Sequence, residues 1–238
     1  MTERSWQDEL QHFLEDRLRA FASTLGQSPP PAGLRIGPPV SADEAKNFMR
    51  GVEEGLFAVD EQGQVYSSLI RVGKSDGTAL GSFPIFAANP LRLHRRLVCV
   101  LSTAAALTLE RGWLQPQIEL ASIKEPDNPS INPADIIITA LDGHLLAAVV
   151  AKRTGYELEK LRNDLKQCGR RGPHSEANCG FPQNHATFEF CAENQPPYLW
   201  AVAPDWEICF QLTYPEDGTI ALLEFHSLPP RSLLELLP

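Results

Sequence analysis

The sequence predicts a mixed α/β fold, in which a central mixed sheet is flanked by helices. Apolar residues spaced three or four apart, together with a helix-start pattern at Ser41, predict helices in four parts of the chain. Alternating or continuous apolar runs bounded by Gly, Pro and Asn predict strands between and after those helices. With 238 residues, of which 43% are hydrophobic, the chain is long enough to bury a sizeable core. Helices and strands in this order are typical of helices packed on a sheet.

The first 90 residues read as a helix, a connector, a second helix and a hairpin. Apolar spacing predicts a helix over Trp6–Thr24, and the Pro- and Gly-rich stretch 27–39 predicts an irregular connector. Ser41, with Glu44 three residues later, is typical of a helix start. Two strand-like runs within residues 55–71 meet at a Gln62-Gly63 turn.

From residue 91 the pattern favours a helix, a strand, a hairpin, a second helix and further strands. We therefore expect residues 1–90 to form an N-terminal α+β extension and residues 91–238 to form the α/β core. The predicted elements of the core are a helix over Leu91–Gly112, a strand over 117–121, strands before and after a turn at Asp142-Gly143, a helix over Tyr156–Gln167, a loop over 169–183, and strands over 187–191, 198–203, 207–214 and 219–225.

The hairpin places an acid and a lysine near each other. Asp135 opens the first strand after Pro133-Ala134, and Lys152 ends the second strand after Val150-Ala151. In an antiparallel hairpin the start of the first strand lies beside the end of the second, so we expect both side chains at one edge of the sheet.

This pattern resembles the PD-(D/E)XK, or restriction endonuclease-like, superfamily. Its motif runs proline, aspartate, a hairpin and then acid, any residue, lysine; here one residue is inserted before Asp135, and Val150 stands where the second acid is expected. The resemblance covers roughly residues 97–214 and implies a restriction endonuclease-like core for 91–238. It also implies that Asp135 holds Mg²⁺ and that Lys152 orients the attacking water or stabilises the transition state.

A divalent ion held by a single carboxylate is held poorly, so an active nuclease requires a second acid from elsewhere. The candidates are Glu110 on the preceding helix, Glu119 on the first strand, and Glu157 or Glu159 at the start of the following helix. We predict catalytic roles for Asp135, Lys152, Glu110 and Glu157, and metal ligation by Asp135 and Glu119. Val150 has a second explanation, which is that it belongs to the core of a covered sheet.

The distribution of charge along the chain favours a nucleic-acid partner more than the total net charge does. The chain carries a formal net charge of −9, yet residues 65–180 hold 14 basic and 11 acidic side chains. The basic groups cluster at Arg92, Arg95 and Arg96, and along the helix after the motif. From that helix region we predict phosphate contacts by Arg153, Lys160, Arg162 and Lys166.

A second constellation contains five potential metal ligands at spacings of five or six residues: Cys168, His174, Cys179, His185 and Cys191. Three or four of them would suffice for zinc. Their spacing matches none of the short paired patterns of zinc knuckles, so we expect reduced cysteines and polar loop histidines here rather than a zinc site.

Three functions are left open by the sequence. The first is a nucleic-acid-associated protein on a catalytically degenerate nuclease-like fold. The second is an active Mg²⁺-dependent DNA or RNA nuclease with a migrated glutamate, which would make the chain a metal-dependent phosphodiesterase. The third is a protein interaction module that uses the N-terminal helix or the acidic ends. Without a membrane span or signal peptide in the pattern, and with five cysteines, we expect a cytoplasmic protein.

Overall fold

The computed structural model describes residues 5–31, 33–70, 81–121 and 133–235. A mixed six-stranded sheet lies at its centre, with strand order β11-β10-β9-β8-β7-β6. Of the pairings between these six described strands, β8–β9 is parallel and the others are antiparallel. The strands are β6 (Ile118–Leu120), β7 (Ile136–Thr139), β8 (Leu145–Ala151), β9 (Tyr198–Ala203), β10 (Trp206–Thr213) and β11 (Ala221–Phe225). The predicted mixed α/β class is confirmed.

Helices cover both faces of this sheet. The described α-helices are α1 (Trp6–Thr24), α2 (Ala42–Glu53), α3 (Arg95–Leu109), α4 (Gly155–Arg171), α5 (Pro182–Asn194) and α6 (Arg231–Leu234). Ala147, Val149 and Ala151 of β8 pack into the cluster that contains α1, α2 and α3. Ala148 and Val150, on the alternate positions, pack into the cluster that contains α4 and α5.

The N-terminal region contributes to the first of these clusters. Its small sheets are formed by β1 (Ala58–Val59), β2 (Gln64–Ser67) and β3 (Gly81–Pro84), and by β4 (Phe86–Ala88) with β5 (Leu91–Leu93). The apolar face of α1, with Leu10, Leu14 and Leu18, is buried in the same core as the sheet residues. Those side chains are therefore unavailable to a partner protein.

Several helix ends follow from local capping. The Oγ of Ser41 accepts a hydrogen bond from the Glu44 backbone N–H at 3.2 Å, as predicted for the start of α2. The Thr154 Oγ1 caps α4 in the same way, through the Glu157 N–H at 3.1 Å. In the β7–β8 turn, Gly143 has a φ of +94°, a conformation that favours glycine.

Three predictions of secondary structure are wrong. The helix expected over Leu91–Gly112 begins at Arg95 and ends at Leu109, because residues 91–93 pair as β5 with β4. Residues 187–191 belong to α5 rather than to a strand. Burial of His185, Phe188 and Cys191 at helical spacing against the sheet outweighs their strand-like alternation. The third is the end of α4, which lies at Arg171 rather than at the predicted Gln167. Arg71, at the end of the predicted second hairpin strand, lies outside the described residues.

Residues from both sides of the expected domain boundary at residue 90 belong to one core cluster. The division into an N-terminal extension and a core stays a prediction. None of the helices that the structure describes is both long enough and apolar enough to cross a membrane.

Candidate functional site

Asp135 and Lys152 lie at the same end of neighbouring antiparallel strands. Asp135 directly precedes β7, and its N–H donates to the Val149 carbonyl at 2.7 Å. Lys152 directly follows β8, and its N–H donates to the Val202 carbonyl at 2.8 Å. The hairpin therefore brings both residues to one edge of the sheet.

The Asp135 carboxylate is occupied by a buried arginine from the start of α3. Arg96 Nη2 donates to Asp135 Oδ2 at 2.9 Å and lies 2.8 Å from Oδ1, to which it is not aligned for a hydrogen bond. Arg96 Nε also donates to the Ala151 carbonyl at 3.1 Å, while the Ala151 N–H donates to Asp135 Oδ2 at 2.6 Å. Arg96 and Asp135 are 5% and 1% exposed. The guanidinium thus lies on the carboxylate where the resemblance implies a divalent cation.

Lys152 faces a different set of partners. Its Nζ donates to Asn184 Oδ1 of α5 at 3.0 Å, and Asn184 Nδ2 in turn donates to Asp164 Oδ2 of α4 at 2.7 Å. Among the described residues no ion pair joins Lys152 to Asp135. Burial, followed by the nearby positive charge of Arg96, lowers the pKa of Lys152 to about 8.

Arg96 and Lys152 both line a cavity of about 430 Å³ at the start of α4. This volume lies in the range of small-ligand sites, roughly 300–1,000 Å³. The cavity is also lined by Ala151, Arg153, Thr154, Tyr156, Glu157, Lys160, Gln183 and Asn184. Four of its lining side chains are cationic types and one is acidic.

One nitrogen of the Arg96 guanidinium lacks a partner in the part of the chain that the structure describes. Arg96 Nη1 is buried and has no hydrogen-bond partner among the described residues. A buried guanidinium N–H without an acceptor costs free energy, so this position favours an oxygen from a bound anion or from water. We call the cavity, with Arg96, Lys152 and Lys160, the anion pocket.

The predicted additional acids are spread over several elements, and Glu110 lies far from Asp135. Glu110 follows the far end of α3, where it pairs with Lys46 at 2.9 Å. Since α3 rises about 1.5 Å per residue, that end lies roughly 20 Å from Arg96. Glu119 lies beside Ile137 in the β6–β7 pairing, two residues along from Asp135. Glu157 lines the anion pocket and pairs with Arg153 at 2.5 Å. Glu159 pairs with Arg162 at 3.2 Å.

Most of the predicted phosphate-binding side chains are already paired. Arg162 lies 2.7 Å from Glu224 of β11, and Lys166 also pairs with Glu224. Arg153 pairs with Glu157, whereas Lys160 Nζ donates to the Gln183 side chain at 2.7 Å and pairs with no carboxylate that the structure describes. Arg95, expected in a surface cluster, is buried against Glu44 at 2.6 Å. The broad basic surface expected from the sequence is therefore largely neutralised.

The sequence does not predict the positions of two residues of the anion pocket. Arg96 belongs to a basic cluster in the sequence, yet it stands beside Leu97 and Val98 in an apolar helix start, where an arginine requires an acidic partner. Nothing in the local sequence of Asn184 indicates its contact with Lys152.

A separate cluster brings three of the predicted metal-ligand types together. Ligand atoms of Cys168, His174 and Cys179 all lie within 4.8 Å of one another, and the three could hold a metal ion. The cysteines are free, and the expectation that this segment holds no zinc stays a prediction. The spacing in the sequence does not indicate the cluster, which forms because the turn at Gly172 and the short 3-10 helix Glu176–Asn178 fold the loop back onto the end of α4. Cys191 lies apart in the apolar cluster under α5, where burial raises the pKa of its thiol to about 12.

No family model, curated protein or solved structure matches this chain. Any function must therefore be argued from the geometry of the anion pocket and of the cysteine and histidine cluster.

Proposed function

We propose that this chain binds nucleic acid through a phosphate held in the anion pocket, on a degenerate restriction endonuclease-like site that does not cut. The observation that carries the proposal is the incomplete pairing of the buried Arg96 guanidinium. One of its nitrogens pairs with Asp135, and another, Nη1, is buried without a partner in a residue that lines the pocket.

Three features of the pocket suit a phosphate. Arg96 and Lys152 offer charged donors from two sides of the sheet edge, and Lys160 adds a third cation from α4. The start of α4 lies at the same cavity, where the helix dipole favours an anion. Glu157 opposes an anion, but Arg153 binds its carboxylate directly.

The same arginine argues against hydrolysis. A cation on Asp135 would lie next to the Arg96 guanidinium, and two unit charges 4 Å apart repel by about 4 kcal/mol at an effective dielectric constant near 20. A divalent ion doubles that repulsion. Val150, in the position of the second acid, is fully buried in the core under α4. Magnesium therefore has neither a free first carboxylate nor a second one at this position.

The pairing of the surrounding basic residues limits the size of the nucleic-acid contact. Glu224 neutralises Arg162 and Lys166, so few phosphates are contacted outside the pocket. We expect a shallow salt dependence, with a slope near −2 in log K against log salt, from about 0.7 per contacted phosphate charge on a single strand. A long basic groove would give a much steeper slope.

The test is binding of a 5′-phosphorylated single-stranded oligonucleotide, measured by fluorescence anisotropy at several salt concentrations. Lys160→Ala is expected to weaken binding and to reduce the magnitude of the salt slope by about 0.7, the value for one contact on a single strand. Lys166→Ala is the matched control on the same helix, because its side chain pairs with Glu224, and it should leave both quantities nearly unchanged.

Equal losses in the two variants would refute the assignment to the anion pocket, as would unchanged binding in Lys160→Ala. Incubation of the same complexes with Mg²⁺ tests the absence of cleavage. Cutting that disappears in Asp135→Ala and in Glu157→Ala would instead establish the nuclease with a migrated glutamate.

A further inference from the structure

The connection between α4 and α5 contains a site whose groups suit a transition metal. We propose that Cys168, His174 and Cys179, with His185 as fourth ligand, bind one structural zinc ion. This site is separate from the anion pocket and does not depend on its function.

The two sulfur atoms already have the separation that zinc requires. The Sγ atoms of Cys168 and Cys179 lie 3.7 Å apart. Two thiolates bound at about 2.3 Å to one tetrahedral zinc lie about 3.8 Å from each other. In addition, the Phe181 N–H donates to Cys179 Sγ at 3.3 Å, a contact that stabilises a thiolate.

His174 is held in the orientation of a metal ligand. Its Nδ1 lies 2.6 Å from the Gly172 carbonyl, to which it donates as the Nδ1–H tautomer. This leaves Nε2 with a lone pair, and Nε2 is buried without a hydrogen-bond partner among the described residues. A backbone carbonyl that fixes the tautomer of a ligating histidine is a common feature of zinc sites.

His185 stands next to this group. Its ring centroid lies 5.1 Å from that of His174, and the residue is 1% exposed. Nε2 lies 3.0 Å from Glu189 Oε1 without the alignment of a hydrogen bond, and Nδ1 has no partner among the described residues. The ligand atoms within 4.8 Å of one another are those of Cys168, His174 and Cys179, so His185 reaches the ion only if its ring moves toward the cluster. With Glu189 then accepting from Nε2–H and Nδ1 on zinc, a Cys₂His₂ set is complete.

Zinc binding here would fix the path of the chain between two helices. Each of the two thiols releases its proton to solvent as its zinc–sulfur bond forms. Cys168 belongs to the last turn of α4 and His185 to the first turn of α5, so the ion joins both ends of the connection. Asn184, which binds Lys152, is the neighbour of His185.

The experiment measures the zinc content of the purified full chain by inductively coupled plasma mass spectrometry. It also records the ultraviolet–visible absorption spectrum after zinc is exchanged for Co²⁺. The expected result is about one zinc per chain and the sulfur-to-cobalt charge transfer and intense visible bands of a tetrahedral site with two thiolates. Cys168→Ser, Cys179→Ser and His174→Ala should each lose most of the metal. Cys191→Ser, a buried cysteine of α5 outside the cluster, should retain it.

Reversible removal of zinc from the unaltered chain keeps the test valid if those variants fold poorly. Chelation of zinc from the unaltered chain should lower its melting temperature, and added Zn²⁺ should restore it. Absence of zinc together with no uptake of Co²⁺ would refute the proposal. So would an unreduced mass two units lower through a Cys168–Cys179 disulfide. Full zinc retention by His185→Ala would overturn the assignment of the fourth ligand.

Discussion

The pairing of Arg96 with Asp135 gives a quantitative prediction about stability. Asp135→Asn keeps an acceptor for the Ala151 N–H but leaves the buried Arg96 guanidinium without its counter-charge. Removing one partner of a buried ion pair typically costs about 3–5 kcal/mol. For a chain of this size, in which 1 kcal/mol shifts the melting temperature by about 2–4 °C, the expected decrease is roughly 6–20 °C.

A double-mutant cycle separates the pair from its other contacts. Arg96→Met should also destabilise the chain, because Asp135 then remains buried and charged. The double variant should be less destabilised than the sum of the two singles, with a coupling energy of about 2–3 kcal/mol. Each free energy of unfolding comes from urea titration followed by circular dichroism, in EDTA and again in Mg²⁺.

Glu159→Gln is the control, because its exposed carboxylate also pairs with an arginine, and exposed pairs contribute about 0–1 kcal/mol. If Asp135→Asn costs no more than this control in EDTA, Arg96 is not the counter-ion that the geometry indicates. Stabilisation of the unaltered chain by Mg²⁺, absent in Asp135→Asn, would show that Asp135 is a metal ligand after all.

Two further predictions concern the residues beside this pair. Because the pKa of Lys152 is lowered to about 8, oligonucleotide binding should weaken as the pH rises through that value, and Lys152→Met should remove this dependence in anisotropy titrations. In the unfolded chain Lys152 keeps its proton up to its ordinary pKa of about 10.4. The contribution of Lys152 to the free energy of unfolding should therefore rise with pH between about 8 and 10.4. A pH profile of stability equal to that of Lys152→Met would contradict the lowered pKa of Lys152. Val150→Glu should cost several kcal/mol in urea unfolding, because the carboxylate would replace a fully buried methyl pair among Leu158, Leu161 and Phe210. Rescue of that variant by Mg²⁺ would show instead that the second metal ligand can be restored.

The sequence by itself determined the features that depend on local pattern. Apolar periodicity located α1 at its observed bounds, and the Ser41 cap located the start of α2. The Asp142-Gly143 turn, between two apolar runs, determined the β7–β8 hairpin and therefore the neighbourhood of Asp135 and Lys152. Turn chemistry and side-chain period act over a few residues, so a single sequence carries them.

Only the tertiary structure decided which charges meet. Arg96 and Asp135 are 39 residues apart, Lys152 and Asn184 are 32 apart, and Arg162 and Glu224 are 62 apart. Each contact depends on how helices pack on the sheet, which no local pattern specifies. The cysteine and histidine cluster also required the observed fold of the α4–α5 connection, because its sequence spacing is not that of a short zinc knuckle. Long-range packing therefore placed Arg96 on the carboxylate where the resemblance implies a divalent ion, and it gathered three side chains of a predicted loop into a cluster that could hold a metal ion.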